Sequence, residues 1–294
     1  MGSIYGGHLS LKHEVYMVDK NRDLVERINE CGLKIKENGK ENCYFPSAVI
    51  STDEIGTVDL IILFVKALFS KVALEENKSV IGANTYIMTL QNGAGHEDTL
   101  SDFVSRNKII LGTTEDNGVS LDLAYIRRGG TGKTNIGMLV PDQEHMLDVC
   151  KQTFDSCGFD CYLFDNIQRL IWDKLLTNAS LSVVTGILQV PIGFIAANEY
   201  AWKMTKQLIR EAVLVAEKMG EIFDETEITE RVRTISLQSP EGLTSIYMDL
   251  KNGRKTEVNT INGTVVKMAS KLGVSVPTHD FVVSMICAIQ EKGQ

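Results

Sequence analysis

"MGSIYGGHLSLKHEVYMVDK" (1–20) opens the chain, and its reading decides the fold. Gly2 to Ser10 has the texture of the second half of a glycine-rich turn running into a helix, and Glu14 to Asp19 reads as a strand ending in an acid. A dinucleotide-binding turn sets G-x-G-x-x-G between a first strand and its helix, where a pyrophosphate rests against backbone N–H groups at the positive helix end. With Gly2 as the last glycine of that motif and Ser3 beside it, the first strand and the first two glycines are expected ahead of Met1. The acid expected roughly 20 residues on, for a ribose hydroxyl, is then Asp19. Gly6 and Gly7 are expected to let the helix lie close on the sheet.

Working outward, the first half alternates. "NRDLVERINECG" (21–32) has helical spacing and a glycine stop, whereas "VDLIILFVK" (58–66) is a continuous β-branched, apolar run of the kind buried on both faces of a parallel sheet. "YIMTLQNG" (86–93) and "KIILGTT" (108–114) repeat that pattern. Strands alternating with helices predict βαβ units and a right-handed, doubly wound sheet. Beyond Gly112, "AYIRRGGTGKTNIG" (124–137) predicts antiparallel hairpin strands.

From about Asn166 the spacing is helical throughout: 166–188, 199–220, 256–273 and 278–292 are each apolar at helical intervals, and two of them stop at a glycine. The expected organisation is α/β plus all-α, with a Rossmann-like domain over 1–164 and a helical domain over 165–294.

Composition narrows the function classes. A formal net charge of −8 over 294 residues argues against nucleic acid or an anionic membrane as the main partner. No apolar run approaches the ~20 residues that span a bilayer, and no secretory signal is visible at the start. Cys31, Cys43, Cys150, Cys157, Cys161 and Cys287 are scattered; Cys157 and Cys161 lack the second pair or histidine that zinc would need. Reduced thiols, no metal and a cytoplasmic location are expected. "GGTGKT" (129–134) imitates a phosphate loop, but the pattern requires glycine where Arg127 stands, and "NIGMLVP" after it reads as a strand.

Several polar residues lie where a purely structural chain would not need them. Lys66 ends the run "LIILFVK" at the carboxyl edge of the expected sheet, and Asn92 in "QNGAG" (91–95) ends the next strand at the same edge. In "WDKLLTNAS" (172–180), Lys174 and Asn178 are four apart and share a helix face. "TSIYMDLKNGRKTEVNTING" (244–263) adds Ser245, Asp249 and Glu257, with Glu257 expected to begin a helix. Each has a plain structural alternative: a solvated lysine, an acid favouring a helix dipole, an Asn-Gly turn.

Taken together these stretches resemble ketopantoate reductase. The resemblance runs from residue 1 to about 290 and rests on "MGSIYGG", "FVKA" (64–67), "QNGAG", "GTGKTNIG" (130–137), "WDKLLTNA" (172–179) and "SIYMDLKNGRKTEVNTINGTVV" (245–266). It implies a helical domain of the 6-phosphogluconate dehydrogenase C-terminal type. It further implies reduction of 2-dehydropantoate to pantoate on the route to pantothenate and coenzyme A. Lys174 would be the general acid; Glu257 would hold Lys174 or a substrate hydroxyl; Asn92, Asn178 and Ser245 would position substrate. Lys66 would stand near the cofactor, with Asn92 and Glu257 also within its reach. Ser182 occupies a further substrate position, eight after the lysine, where the family has asparagine. Hydride attack builds negative charge on a carbonyl oxygen, which a lysine ammonium can offset while supplying the proton.

Asp19 favours NADH and the adjacent Lys20 favours the 2′-phosphate of NADPH; the resemblance tips the expectation towards NADPH, with NADH also open. A small 2-keto acid is the expected partner, in a monomer or homodimer. Two other readings stand beside this one: a reductase of another 2-keto acid or opine precursor, and a non-catalytic dinucleotide sensor.

Overall fold

A computed structural model describes residues 1–130 and 132–292. Backbone contacts divide the chain into two compact units: Met1–Gln91 with His96–Ile167, and Asn92–Gly95 with Gln168 onward. The four-residue segment Asn92–Gly95 thus belongs with the helical half although its neighbours in sequence do not.

The first unit contains α1 (Gly2–Leu9), β1 (Tyr16–Val18), α2 (Arg22–Cys31), β2 (Leu33–Glu37), β3 (Lys40–Tyr44), β4 (Ser47–Val49) and β5 (Leu60–Leu63). It continues with α3 (Ser70–Glu76), β6 (Tyr86–Thr89), α4 (His96–Leu100), β7 (Ile109–Thr114), β8 (Asn117–Asp122), β9 (Tyr125–Gly129), β10 (Lys133–Gly137), α5 (Met146–Ser156) and β11 (Asp160–Leu163). Among the described residues the strands form a five-stranded sheet in the order β11-β10-β7-β6-β5, a four-stranded sheet β3-β2-β9-β8, and the parallel pair β1-β4. β5, β6 and β7 run parallel, in keeping with the continuous apolar runs that mark them, and β10 enters antiparallel to β7.

α1 lies close on the strands because it carries glycine where they pass. A Cβ on Gly6 would stand 2.8 Å from Met17 Sδ, and one on Gly7 would stand 2.9 Å from Ile35 Cδ1. Its buried Tyr5 ring stacks on Phe159 at 4.3 Å between centroids, and the Tyr5 hydroxyl meets Thr114 Oγ1 at 2.9 Å and Thr134 Oγ1 at 2.6 Å. Burial pushes that phenol up to about 12, so it acts as a neutral hydrogen-bonding group. One turn on, His8 Nε2 is 3.0 Å from Glu37, which also accepts from Arg128 at 3.1 Å; Arg128 in turn grips Asp116 at 3.0 Å. This buried polar set ties α1 to β2 and β9.

The expected hairpin over 124–137 is corrected. β9 pairs antiparallel with β8 and parallel with β2, while β10 leaves for the other sheet. Gly130 and Gly132, both with positive φ, divert the chain between them, and a side chain at 130 would fall on the Glu115 carbonyl. Thr131 lies outside the described residues. The imitation phosphate loop therefore runs into strand β10 rather than into a helix. The β2–β3 hairpin was not anticipated. Its turn, Asn38 (φ 49) and Gly39 (φ 76), has the paired left-handed residues of a tight two-residue connection, a signal present in "ENGK".

The second unit is helical: α6 (Ile167–Leu188), α7 (Gly193–Ala197), α8 (Glu199–Lys218), α9 (Glu225–Gln238), α10 (Ser245–Lys251), α11 (Asn262–Leu272) and α12 (Pro277–Lys292). Side-chain caps start three of them: Asn198 on α8, Asp224 on α9 and Thr244 on α10. Buried Glu211 does the same for α12, accepting from the backbone N–H groups of Thr278 at 3.1 Å and His279 at 3.1 Å and from the Thr278 hydroxyl at 2.6 Å. None of the described helices is long and apolar enough to cross a membrane.

Candidate active site

α6 is the backbone of the candidate site. Trp172, Leu175, Leu176 and Ala179 are buried on its inner side, which leaves Lys174 and Asn178 half-buried on another face one turn apart. Ser182, a further turn along, is buried. At 1.5 Å per residue the three side chains span about 12 Å of one helix face.

Two segments are tied to α6 by contacts at Ala179, Thr185 and Gly186. The first is Asn92–Gly95. Gly93, at φ 96, lies so close to the turn at Thr260 that a Cβ there would fall on the Thr260 carbonyl. The Ala94 N–H donates to that same carbonyl at 3.2 Å, and the Thr264 hydroxyl donates to the Ala94 carbonyl at 3.0 Å. Docked this way, Asn92 Nδ2 donates to Glu257 Oε2 at 3.5 Å, across 165 positions of sequence. Asn262, which opens α11, donates to the Ala179 carbonyl at 2.7 Å, so the 257–262 turn is tied to α6 one residue after Asn178.

The second segment is the start of α10. Thr244 and Thr185 share a hydroxyl–hydroxyl bond of 2.7 Å, and a Cβ on Gly186 would stand 2.5 Å from Ile246 Cγ2. The absent side chain at 186 lets the start of α10, with exposed Ser245 between Thr244 and Ile246, lie against α6.

One expectation here is corrected: Glu257 does not begin a helix. It lies in a turn five residues before α11, because Ile261 (φ −97, ψ −88) leaves helical geometry and the Thr260 and Ile261 N–H groups close back on the Glu257 carbonyl at 3.1 Å. An acid in a turn has more freedom of approach than one in a first helical turn, where it would be aimed at its own backbone.

The remaining predicted residues belong to the first unit. Gly2 and Ser3 form the first turn of α1, whose N-terminus has no side-chain cap, in contrast to α2, where Asn21 accepts from the Leu24 N–H. Uncapped N–H groups at a helix start, glycines that bring the helix onto the strands, and an acid at the end of β1 suit the diphosphate and ribose of a dinucleotide. Asp19 is exposed, and its Oδ1 accepts from the Asn21 N–H at 2.9 Å. Lys20 donates to Glu76 Oε1 on α3 at 2.6 Å. Lys66 follows β5 and is half-buried at the head of the turn closed by the Phe69 N–H on its carbonyl at 2.8 Å.

Residues 1–141 match the family described as Ketopantoate reductase PanE/ApbA, and residues 166–290 match Ketopantoate reductase PanE/ApbA C terminal. A 2-dehydropantoate 2-reductase of Lactococcus lactis is 30% identical over 298 residues, covering 99% of this chain and 95% of that one. The chain belongs to the ketopantoate reductase family. It is an oxidoreductase with a Rossmann-like domain and the family's helical domain. A Streptococcus pyogenes 2-dehydropantoate 2-reductase is 28% identical, covering 98% of this chain and 94% of the relative. Among solved structures, D-mandelate dehydrogenase in its ternary complex with NADH and anilino(oxo)acetate superposes with a TM-score of 0.91 at 28% identity, covering 100% of this chain and 96% of that one.

Within this ketopantoate reductase fold, four residues that sequence reasoning did not select position the candidate segments. Asn262 holds the Glu257 turn on α6, Thr264 holds the Asn92 segment, and the Thr185–Thr244 pair sets α10. The "ING" of "TINGTVV" was visible as a motif, but its role is a backbone bond to a residue 83 positions away. Glu76 was invisible from sequence, since only the packing of α3 brings it to Lys20.

Proposed function

We propose that this chain reduces 2-dehydropantoate to pantoate, with Lys174 as general acid, on the route to pantothenate and coenzyme A. Asn92 bonded to Glu257, in a turn that Asn262 ties to α6 at Ala179, the residue after Asn178, is the observation that carries the reading. A nicotinamide dinucleotide, when bound by Gly2, Ser3, Asp19 and Lys66, supplies the hydride. Lys174 would supply the proton to the keto oxygen on which negative charge develops during reduction. Glu257, bonded to Asn92, would hold Lys174 or a substrate hydroxyl in place. Asn178, Ser182 and Ser245 bind the carboxylate and hydroxyls of the substrate through neutral donors, which add no competing acid.

A second substrate reading has its own support. Ser182 is short and buried where the family resemblance expects asparagine, and the D-mandelate dehydrogenase structure contains anilino(oxo)acetate. A reductase of bulkier 2-keto acids fits both facts. On the coenzyme, the family resemblance favours NADPH, and the charges around Asp19 favour NADH. Nicotinamide oxidation with 2-dehydropantoate and a panel of aliphatic and aromatic 2-keto acids separates the substrate readings. Lys174→Ala is expected to lose about 10²–10⁴ in kcat while remaining folded. Near-normal turnover in that variant sinks the assignment of the acid.

A further inference from the structure

The end of β1 carries more negative than positive charge. Asp19 is held there at both ends: its N–H donates to the Val49 carbonyl at 3.1 Å, and its carboxylate accepts from Asn21. Lys20 is the neighbouring cation that a 2′-phosphate would recruit, and it is engaged with Glu76. The start of α2 is another place where a phosphate could bind, but Asn21 Oδ1 accepts the Leu24 N–H there at 3.2 Å and Asp23 occupies the first turn. Arg22, the first residue of α2, is the other cation of the segment. Lys20 is thus flanked by Asp19 in sequence and bonded to Glu76, two acids to one cation, before any ligand arrives.

Resting on the reading of this unit as a dinucleotide-binding domain, we propose that the chain selects NADH over NADPH. Asp19 accepts from the adenosine ribose hydroxyls, and Glu76 withholds Lys20 from a 2′-phosphate. A carboxylate is a good acceptor for a diol and repels a phosphate that carries close to two negative charges. At contact distances in water that repulsion amounts to about a tenfold difference in affinity or more. The Lys20–Glu76 pair is exposed (75% and 45%), so breaking it adds only a factor of about two to five. Asp19 is therefore the dominant discriminator and Glu76 the secondary one.

Calorimetric titration of the full chain with NADH and with NADPH, at about 50 mM and about 500 mM salt, tests this directly without turnover. NADH is expected to bind at least about tenfold tighter at low salt, with the gap narrowing at high salt. Asp19→Ser is expected to weaken NADH and strengthen NADPH. Glu76→Gln, distant from the ribose acid in sequence and exposed, is expected to strengthen NADPH about two- to fivefold and leave NADH unchanged. Equal or tighter NADPH binding in the native chain, or an Asp19→Ser variant with an unaltered ratio, overturns the proposed selection and leaves the dinucleotide reading standing. Failure of both nucleotides to bind overturns the dinucleotide reading itself, and the selection with it.

Discussion

Asn92 donates to Glu257 at 3.5 Å, although the loop that carries Asn92 follows a strand of the other unit. The contact exists because Gly93 and Ala94 dock on the Thr260 carbonyl, so a glycine with no catalytic chemistry controls where a candidate binding group stands.

Gly93→Ala should therefore damage both stability and activity. The new Cβ would collide with the Thr260 carbonyl at a positive φ that alanine disfavours, costing roughly 2 kcal/mol or more. Thermal unfolding should show a lower Tm, and residual activity should show a raised KM. An unchanged Tm would mean that this docking is looser than described.

Tyr5→Phe probes the anchoring of α1. Removing the hydroxyl strips Thr114 and fully buried Thr134 of a shared partner, with an expected loss of about 1–3 kcal/mol. Denaturant unfolding measures it, and a loss below about 0.5 kcal/mol would show that the threonines re-pair.

His279 predicts an acid sensitivity. It is fully buried; burial lowers its pKa below the ordinary 6.5, against the opposing pull of the Leu208 carbonyl and Glu211. Below that ordinary value the unfolded chain binds a proton that the folded chain resists, so this group's contribution to stability falls as pH drops under about 6.5 and is constant above it. His279→Gln, which keeps a donor and an acceptor, should flatten the stability profile between about pH 6.5 and 5 relative to the native chain. Parallel profiles for the two proteins would remove His279 from the account.

Thiol chemistry should divide the cysteines by position. Cys31 and Cys43 are exposed, whereas Cys150, Cys157 and Cys161 are buried, and burial pushes the Cys150 and Cys161 thiols up to about 12. An aromatic disulfide reagent at neutral pH should modify Cys31 and Cys43 well before the buried three, which should react only on unfolding. Fast modification of Cys150 in the native chain would contradict the packing of α5 on the sheet.

Much of this protein was legible in one dimension. The alternation of β-branched runs with helical spacing, then helix after helix beyond residue 166, follows from side-chain periodicity that a strand or helix imposes locally. Lys174 and Asn178 could be placed on one face because four residues of helix nearly complete a turn. The Asn38-Gly39 turn was equally local, and it was overlooked rather than hidden.

Other features depended on distant packing. That β9 and β10 part into different sheets and that Asn92 joins the helical unit are decided by contacts across dozens to 165 positions. Local propensity carries no information about which distant backbone a glycine will meet or which lysine an exposed glutamate will find. Lys20 and Glu76 are ordinary surface charges as letters; only the folding of α3 beside the end of β1 turns them into a pair. Residue types and periods state what chemistry is available, and close packing of remote segments selects which of those groups stand together.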